Sequence, residues 1–344
     1  MSKIKVKVIG TGSYLPPTVV TNNDLSTVID TNHEWIKSRT GISQRHIAGH
    51  NDTTSGLATN ALKDALEMAN LNANDLDAII VTTTTPDLIF PSTAVQVQYN
   101  LGMNHGFAFD INTVCSGFIY TAYTGEKMIR SGDVTRIAIV GSEIMSRILN
   151  WDDRSTCVLF GDGAGAVILE GYKSDISDDS DIIDIMLLSD NSLQHALFAV
   201  DKHHLHKNHT LERISQFIQP MDEIKDNNFG VYMNGGAVYK NAVIGMSDMC
   251  LKILERNEMQ LEDVDWLLLH QANQRITHAI AERLKIPLDR VMESIEECAN
   301  TSVATIPISL DKYVRHNHEL KHGDIILIAT AGAGMTFSSC ILRW

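Results

Sequence analysis

Short apolar runs alternate along this chain with stretches whose apolar residues recur at helical spacing, the pattern of strands feeding helices. The first run, Ile4 to Ile9, predicts a strand ending in the turn signal GTGSYLP. A helix is expected to start at Asn22 or Asn23, good capping residues, and to continue through Leu25 toward DTNHEWIKSRTGISQRHIA. Thr54 to Ala69 reads as a longer helix, Ala78 to Val81 as a buried strand, and the threonines after it as a loop. Ala108 to Ile111 is a further strand, and from Gly117 onward Phe118, Ile119, Ala122, Met128 and Ile129 mark the apolar face of a helix. RIAIVGSEIM supplies another strand, and FGDGAGAVILEG a Gly-rich turn into one.

The second half repeats this order. LEMANLNANDLDAIIVTTTTP (66–86) and LERNEMQLEDVDWLLLHQANQ (254–274) each read as a helix end, a polar link, an Asp-x-Asp step, a buried strand and a polar loop. SGDVTRIAIVGSE is answered by HGDIILIATAGAG, and the Cys115 segment by ECANTSVATIPISLDKYVRHNHELKHGD. Order alone therefore puts Asn300 before a helix equivalent to the one Cys115 precedes, and His270 in the loop matched by the threonine run. If the halves pack about a pseudo-twofold axis, Cys115 and Asn300 approach each other at the centre, with His270 delivered at an adjacent strand end. Ligands in open α/β architectures bind outside the carboxyl ends of strands, where all three fall. The expected organisation is an N-terminal half (1–172), an inserted loop region (173–226) and a C-terminal half (227–344).

Composition narrows the class. A length of 344 residues suits two domains or a duplicated one, and 44% hydrophobic with 20% charged residues is a globular balance. The N-terminal MSKIKVKVIGTGSYLP reads as a strand into a turn, not a signal peptide, and no apolar run is long enough to span a bilayer, so a cytoplasmic location without membrane attachment is expected. Five cysteines without a CxxC pair argue against a disulfide framework or a zinc site. The net charge of −14 argues against nucleic-acid binding and requires any acidic partner to meet a local basic patch.

The candidate chemistry centres on Cys115. A thiol at a helix start meets unpaired N–H groups and the positive end of the helix dipole, which favour the nucleophilic thiolate. The competing reading is a small buried apolar residue. A thiolate with a His and an Asn from other loops suits acyl transfer from a thioester: Cys115 takes the acyl group, while His270 and Asn300 can donate hydrogen bonds to a developing oxyanion or enolate. Backbone N–H groups near Cys115 and in AGAGM (331–335) could form a second hole, or AGAGM is a plain strand-to-strand turn. Trp35, Lys37, Arg39, Arg45 and His46 set an aromatic among cations, either a solvated face or a ligand site. The histidines His203, His204, His206 and His209 lack ordered metal spacing and read as a polar loop, so no metal is expected.

IGTGSYLP, DTNHEWIKSRTGISQRHIA, FPSTA, the Cys115 segment, DDRSTCVLFGDGAGA, HQANQRI, NTSVATIP and GAGMTFSSCILRW together resemble the 3-oxoacyl-acyl-carrier-protein synthase III family of the thiolase-like superfamily, over nearly the whole chain. The resemblance implies a thiolase-like α/β fold, two duplicated α/β halves in a five-layered αβαβα arrangement. It implies a catalytic triad of Cys115, His270 and Asn300, and an oxyanion hole from the backbone of Cys115 and Ala333. Ala333 stands where the family usually has the central glycine of a triplet. Trp35 and Arg154 are implied to sandwich the adenine of coenzyme A, with Thr31 and Arg39 nearby, and Phe90 to reach across a homodimer interface. Lys240 and Arg275 match basic positions for docking the acyl carrier protein, whereas Glu282 puts an acid where docking lysines are common. The implied reaction is decarboxylative condensation of an acyl-CoA with malonyl-acyl-carrier protein, starting fatty acid synthesis, with no cofactor beyond the CoA thioester substrates. The alternative is a related condensing enzyme of a secondary-metabolite pathway that uses longer acyl or 3-oxoacyl thioesters and malonyl-CoA; a non-condensing assembly subunit is a third class.

Overall fold

The computed structural model describes residues 3–176, 179–200, 230–317 and 320–344. The strands are β1 (Lys3–Tyr14), β2 (Thr18–Thr21), β3 (Gln44–Ile47), β4 (Ala78–Thr82), β5 (Phe107–Ile111), β6 (Arg136–Glu143) and β7 (Gly163–Ser174). They continue as β8 (Asp181–Ser189), β9 (Leu197–Val200), β10 (Gly230–Met233), β11 (Trp266–Leu269), β12 (Val291–Met292), β13 (Ile325–Gly332) and β14 (Thr336–Arg343). Two five-stranded sheets result, ordered β1-β7-β6-β4-β5 and β12-β11-β13-β14-β8. Read from opposite ends, the two orders superimpose strand for strand. β4 is parallel to β5 and β6 while β7 runs antiparallel to β6 and β1. β11 is likewise parallel to β12 and β13, and β14 antiparallel to β13 and β8. The duplication read from sequence is thus a duplication of sheet topology.

Side-chain alternation builds the layers. In β4, Ala78 and Ile80 face one core while Ile79 and Val81 face another; in β13, Ile326 and Ile328 share the first of these cores and Leu327 and Ala329 turn away. Apolar faces on both sides of both sheets require cover on both sides. The helices Gly117–Ser131 and Thr305–Lys312 fill the space between the sheets. Thr54–Ala69 and Thr93–Asn100 cover the outside of the first sheet, and Gly235–Arg256 and Gln274–Leu284 the outside of the second. This is the five-layered αβαβα arrangement of the thiolase-like fold.

Three expectations change. The first strand does not stop before GTGSYLP: β1 runs to Tyr14 with a register shift between Val8 and Gly10. The glycines serve close packing, not a turn. A Cβ on Gly12 would lie 2.3 Å from the Ala61 carbonyl oxygen and one on Gly10 2.4 Å from that of Ala65, so these two glycines let the Thr54–Ala69 helix lie directly against the strand. The helix expected from Asn22 onward is two, Asn22–Leu25 and His33–Thr40, and Arg45 and His46 belong to β3 instead. Finally, β7 runs past 172, and the second sheet draws its edge strand β8 from inside the stretch expected as an insertion, 173–226. β9 from the same stretch pairs with β10 in a separate two-stranded ribbon. His203, His204, His206 and His209 lie outside the described residues.

Candidate active site

The chain leaves β5 at Ile111, makes one tight turn at Val114–Ser116, and enters the central helix at Gly117. Val114 sits at φ 50°, a left-handed conformation unusual for a β-branched residue, and this aims Cys115 into the space between the sheets. Cys115 is buried, and the Ser302 Oγ lies 3.6 Å from its Sγ. From the other side Gly332, ending β13, presses its backbone against the turn: a Cβ there would lie 3.0 Å from Ser116 N and 3.2 Å from Cys115 N. Burial pushes the Cys115 thiol up to about 11, and the nearby Glu143 carboxyl adds to the rise, against a smaller lowering by the Ser302 hydrogen bond. Desolvation therefore outweighs the pull toward thiolate that a helix start exerts.

The second half repeats the device. Ser302–Ala304 forms the matching tight turn before the Thr305–Lys312 helix, and Ser302 takes φ 51° where Val114 takes 50°. Asn300 precedes it, held by its backbone to Leu159 and Gly161. Its Oδ1 accepts from Ser302 N at 2.8 Å, which leaves the Nδ2 protons for the cavity. His270 follows β11 directly, and its Nδ1 lies 2.7 Å from the Thr305 hydroxyl, which is 3.1 Å from the Ser302 carbonyl. Burial pulls the His270 pKa down to about 4, so the imidazole is neutral near pH 7. The rest of HQAN is scaffold. Gln271 bonds the Leu269 and Met292 carbonyls and accepts from Ser294 N; Asn273 caps the Gln274–Leu284 helix and donates to the Arg39 carbonyl.

A cleft of ≈ 430 Å³ opens over these residues, lined by Cys115, His270 and Asn300 at its floor and by Trp35, Arg39 and Arg275 nearer its mouth. Trp35 and Arg39 are one turn apart on the His33–Thr40 helix, with the guanidinium 4.7 Å from the indole centroid. Arg154 stacks on the same indole at 5.3 Å and donates to the Asp30 carbonyl. Two stacked layers need roughly 7 Å, so a base between Trp35 and Arg154 requires that pair to open first. Thr31 lies beside Asp30 with its hydroxyl buried and, among the described residues, without a hydrogen-bond partner. Arg275 sits over Tyr239 at 5.8 Å, Lys240 is exposed next to that tyrosine, and Glu282 is exposed while the adjacent Arg283 pairs with Asp248 at 3.1 Å. Phe90 is 82% exposed and is not part of this cleft's lining, nor is Ala333. Among the described residues no group of His, Cys, Asp or Glu is arranged to hold a metal ion.

Three further residues complete the arrangement and were not singled out in the sequence. Ser302 and Thr305 belong to the NTSVATIP stretch, but their partners belong to other strands and turns, so spacing could not reveal them. Glu143, fully buried at the carboxyl end of β6, accepts from Thr83, Thr84, Thr85 and Ser302. An acid closing an otherwise apolar strand, in RIAIVGSEIM, was the available signal.

The comparisons agree with this geometry. The family description "3-Oxoacyl-[acyl-carrier-protein (ACP)] synthase III" matches residues 109–191, and its C-terminal counterpart matches 254–344. The beta-ketoacyl-[acyl-carrier-protein] synthase III of Ehrlichia canis (strain Jake) is 45% identical over 336 residues, covering 98% of each chain. The crystal structure of 3-oxoacyl-[acyl-carrier-protein] synthase III from Aquifex aeolicus VF5 superimposes with a TM-score of 0.87 at 40% identity, covering 98% of this chain and 100% of that one. The priming beta-ketosynthase of the R1128 polyketide pathway gives the same TM-score at 27% identity, over 100% of this chain and 98% of that one. Sheet order, the facing Cys, His and Asn, and full-length identity of this degree converge: the chain belongs to the 3-oxoacyl-[acyl-carrier-protein] synthase III family.

Proposed function

We propose that this protein is the condensing acyltransferase that joins an acyl-CoA to malonyl-acyl-carrier protein, giving 3-oxoacyl-acyl-carrier protein at the start of fatty acid synthesis. The observation that carries this reading is the meeting of Cys115, His270 and Asn300 in one cleft, from turns that the two halves build alike. In the first half-reaction the Cys115 sulfur attacks the acyl-CoA carbonyl carbon, the carbon–sulfur bond to CoA breaks, and CoA leaves as the thiol. In the second, the malonyl group loses CO2 while its thioester oxygen takes up the enolate charge. Asn300 Nδ2 and His270 Nε2–H are the donors for that oxygen, and a neutral imidazole can supply the bond without a buried positive charge. The carbanion attacks the acyl-cysteine carbonyl, whose oxygen is held by the backbone N–H groups of Cys115 and Ala333, and the carbon–sulfur bond to Cys115 breaks.

Trp35, Arg39, Arg154 and Thr31 are the proposed CoA contacts, and Lys240 and Arg275 the carrier-protein contacts, a local basic patch on a chain of net charge −14. No organic cofactor or metal enters this scheme. A homodimer is proposed on the apolar surface around the edge strand β5: Leu88, Ile89, Phe90, Val95, Tyr99 and Phe107 are all exposed there. All five cysteines are unpaired, which suits a reducing cytoplasm. Fatty acid synthesis is favoured over a specialised pathway because 45% identity to a fatty acid-type relative exceeds 27% to the polyketide priming enzyme.

The test is mass spectrometry of the intact protein after incubation with acyl-CoAs of graded length, then product analysis with malonyl-acyl-carrier protein against malonyl-CoA. Short acyl groups on Cys115 and preference for the carrier-protein substrate are expected. Normal condensation by Cys115→Ala sinks the scheme, and preference for long chains with malonyl-CoA assigns the protein to the specialised class. Light scattering that finds only monomer removes the dimer.

A further inference from the structure

Glu143 has no part in the scheme above, yet it is fully buried and joined to the nucleophile by one hydroxyl. Ser302 Oγ donates to Glu143 Oε1 at 3.2 Å, and the same Oγ lies 3.6 Å from Cys115 Sγ. A hydroxyl has a single proton. If it is directed at the carboxylate, the contact with sulfur has to run from the thiol to the Ser302 oxygen. Together these form a continuous path, thiol to hydroxyl to carboxylate, inside the protein. The left-handed conformation of Ser302 holds the hydroxyl between the two groups.

We propose that Glu143 receives the Cys115 proton through Ser302 as the nucleophile is acylated, and returns it when the condensed product leaves. This step rests on the acyl-transfer reading given above. As sulfur bonds to the acyl carbonyl carbon, its S–H proton passes to Ser302 Oγ and the Ser302 proton to Glu143 Oε1, while CoA departs as the thiolate and takes a proton from solvent to become the thiol. On release of the product, the Cys115 thiolate recovers a proton by the reverse route. Because the transfer accompanies attack, no free thiolate has to form beforehand, which fits a thiol that burial holds near 11.

The surroundings suit an acceptor that is ionised in part. The polar groups around the carboxyl are the hydroxyls of Thr83, Thr84, Thr85 and Ser302 and the Thr84 N–H, and the titratable neighbour coupled to it is Cys115. No Lys or Arg pairs with it among the described residues. Burial raises its pKa to about 7, and the hydroxyl and N–H donors oppose that rise. The carboxylate form, the one able to accept, therefore grows as pH rises through neutrality.

The experiment measures the rate of Cys115 acylation by acetyl-CoA, and separately its alkylation by iodoacetamide, against pH. In the unaltered protein both rates should rise through an ionisation near 7. Glu143→Gln keeps an acceptor for the Ser302 hydroxyl but cannot take a proton, so acylation at neutral pH should fall on the order of 100-fold. That ionisation should vanish, with recovery only in alkali. Ser302→Ala, which keeps the backbone bond to Asn300, should give the same profile. The proposal is overturned by a flat profile across neutral pH in the unaltered protein, a measurement that needs no variant. It is equally overturned if folded Glu143→Gln or Ser302→Ala acylates at the original rate and pH dependence. If acetyl-CoA fails to acylate Cys115 while alkylation still titrates through Glu143, the acyl-transfer reading is wrong and the relay stands.

Discussion

Thr305→Val is the sharpest probe of how the second half-reaction is controlled. Burial keeps His270 neutral above about 4, so its tautomer, not its charge, decides what it can do. The Thr305 hydroxyl has one proton and two claimants, the Ser302 carbonyl at 3.1 Å and His270 Nδ1 at 2.7 Å. When the proton goes to Ser302, Nδ1–H donates to Thr305 and Nε2 is bare. When it goes to Nδ1, Nε2 carries the proton that an enolate oxygen needs. Valine fills the same space, yet it leaves Nδ1 without a partner beside a side chain that is 1% exposed. Either tautomer then leaves a buried Nδ1 unpaired, at about 1–3 kcal/mol, and the loss of this hold on the ring that must present Nε2–H slows decarboxylation of a malonyl thioester roughly 5- to 150-fold. Acylation of Cys115, which does not use Nε2–H, should change little, and Thr305→Ser should restore decarboxylation. The assay is release of CO2 from the malonyl thioester in parallel with mass-spectrometric acylation. Decarboxylation by folded Thr305→Val at the unaltered rate refutes the role given to Thr305 in holding the imidazole, and equal loss in both half-reactions assigns Thr305 to support of the fold.

Trp35→Ala should raise the KM for acyl-CoA roughly 5- to 150-fold, the loss of one base-stacking face worth about 1–3 kcal/mol, while the rate at saturation holds; an unchanged KM in steady-state assays removes Trp35 from the CoA site. Asp311→Ala should lower stability by about 3–5 kcal/mol. That carboxylate is buried and accepts from Thr11, Ser13 and Arg315, fastening β1 to the Thr305–Lys312 helix, and denaturant unfolding measures the loss. A shift of only a few tenths shows that the network is replaceable.

The duplication was legible because it repeats punctuation: the Asp-x-Asp step, a four-residue apolar run and a glycine-led strand recur in order. From that repeat the facing of Cys115 and Asn300, with His270 beside them, followed by topology alone. The long helix at Thr54–Ala69 was equally plain, having uninterrupted helical spacing between a threonine cap and Asn70 in the left-handed region. The errors came where long-range packing overrides local signals. GTGSYLP reads as a turn because glycine usually frees the backbone, whereas here glycine makes room for a neighbouring helix. β8 was hidden because the acidic run before it and the histidines after it resemble one polar loop, and only its pairing with β14 makes it an edge strand. The resting state of the Cys115 thiol is not legible for a similar reason: a helix start is visible in sequence, the depth of burial that pushes the thiol up is not.

Val114 is held at φ 50°. Such a conformation costs an L side chain about 1–2 kcal/mol, and glycine would adopt it freely, so Val114→Gly should relieve strain at the turn. A selection for heat resistance could thus favour the change. The branched side chain nevertheless limits how far the turn can relax, and Cys115 is the next residue. Stability and rate are expected to be opposed at this position. A library scored only by melting temperature would select the substitution that lets the nucleophile wander.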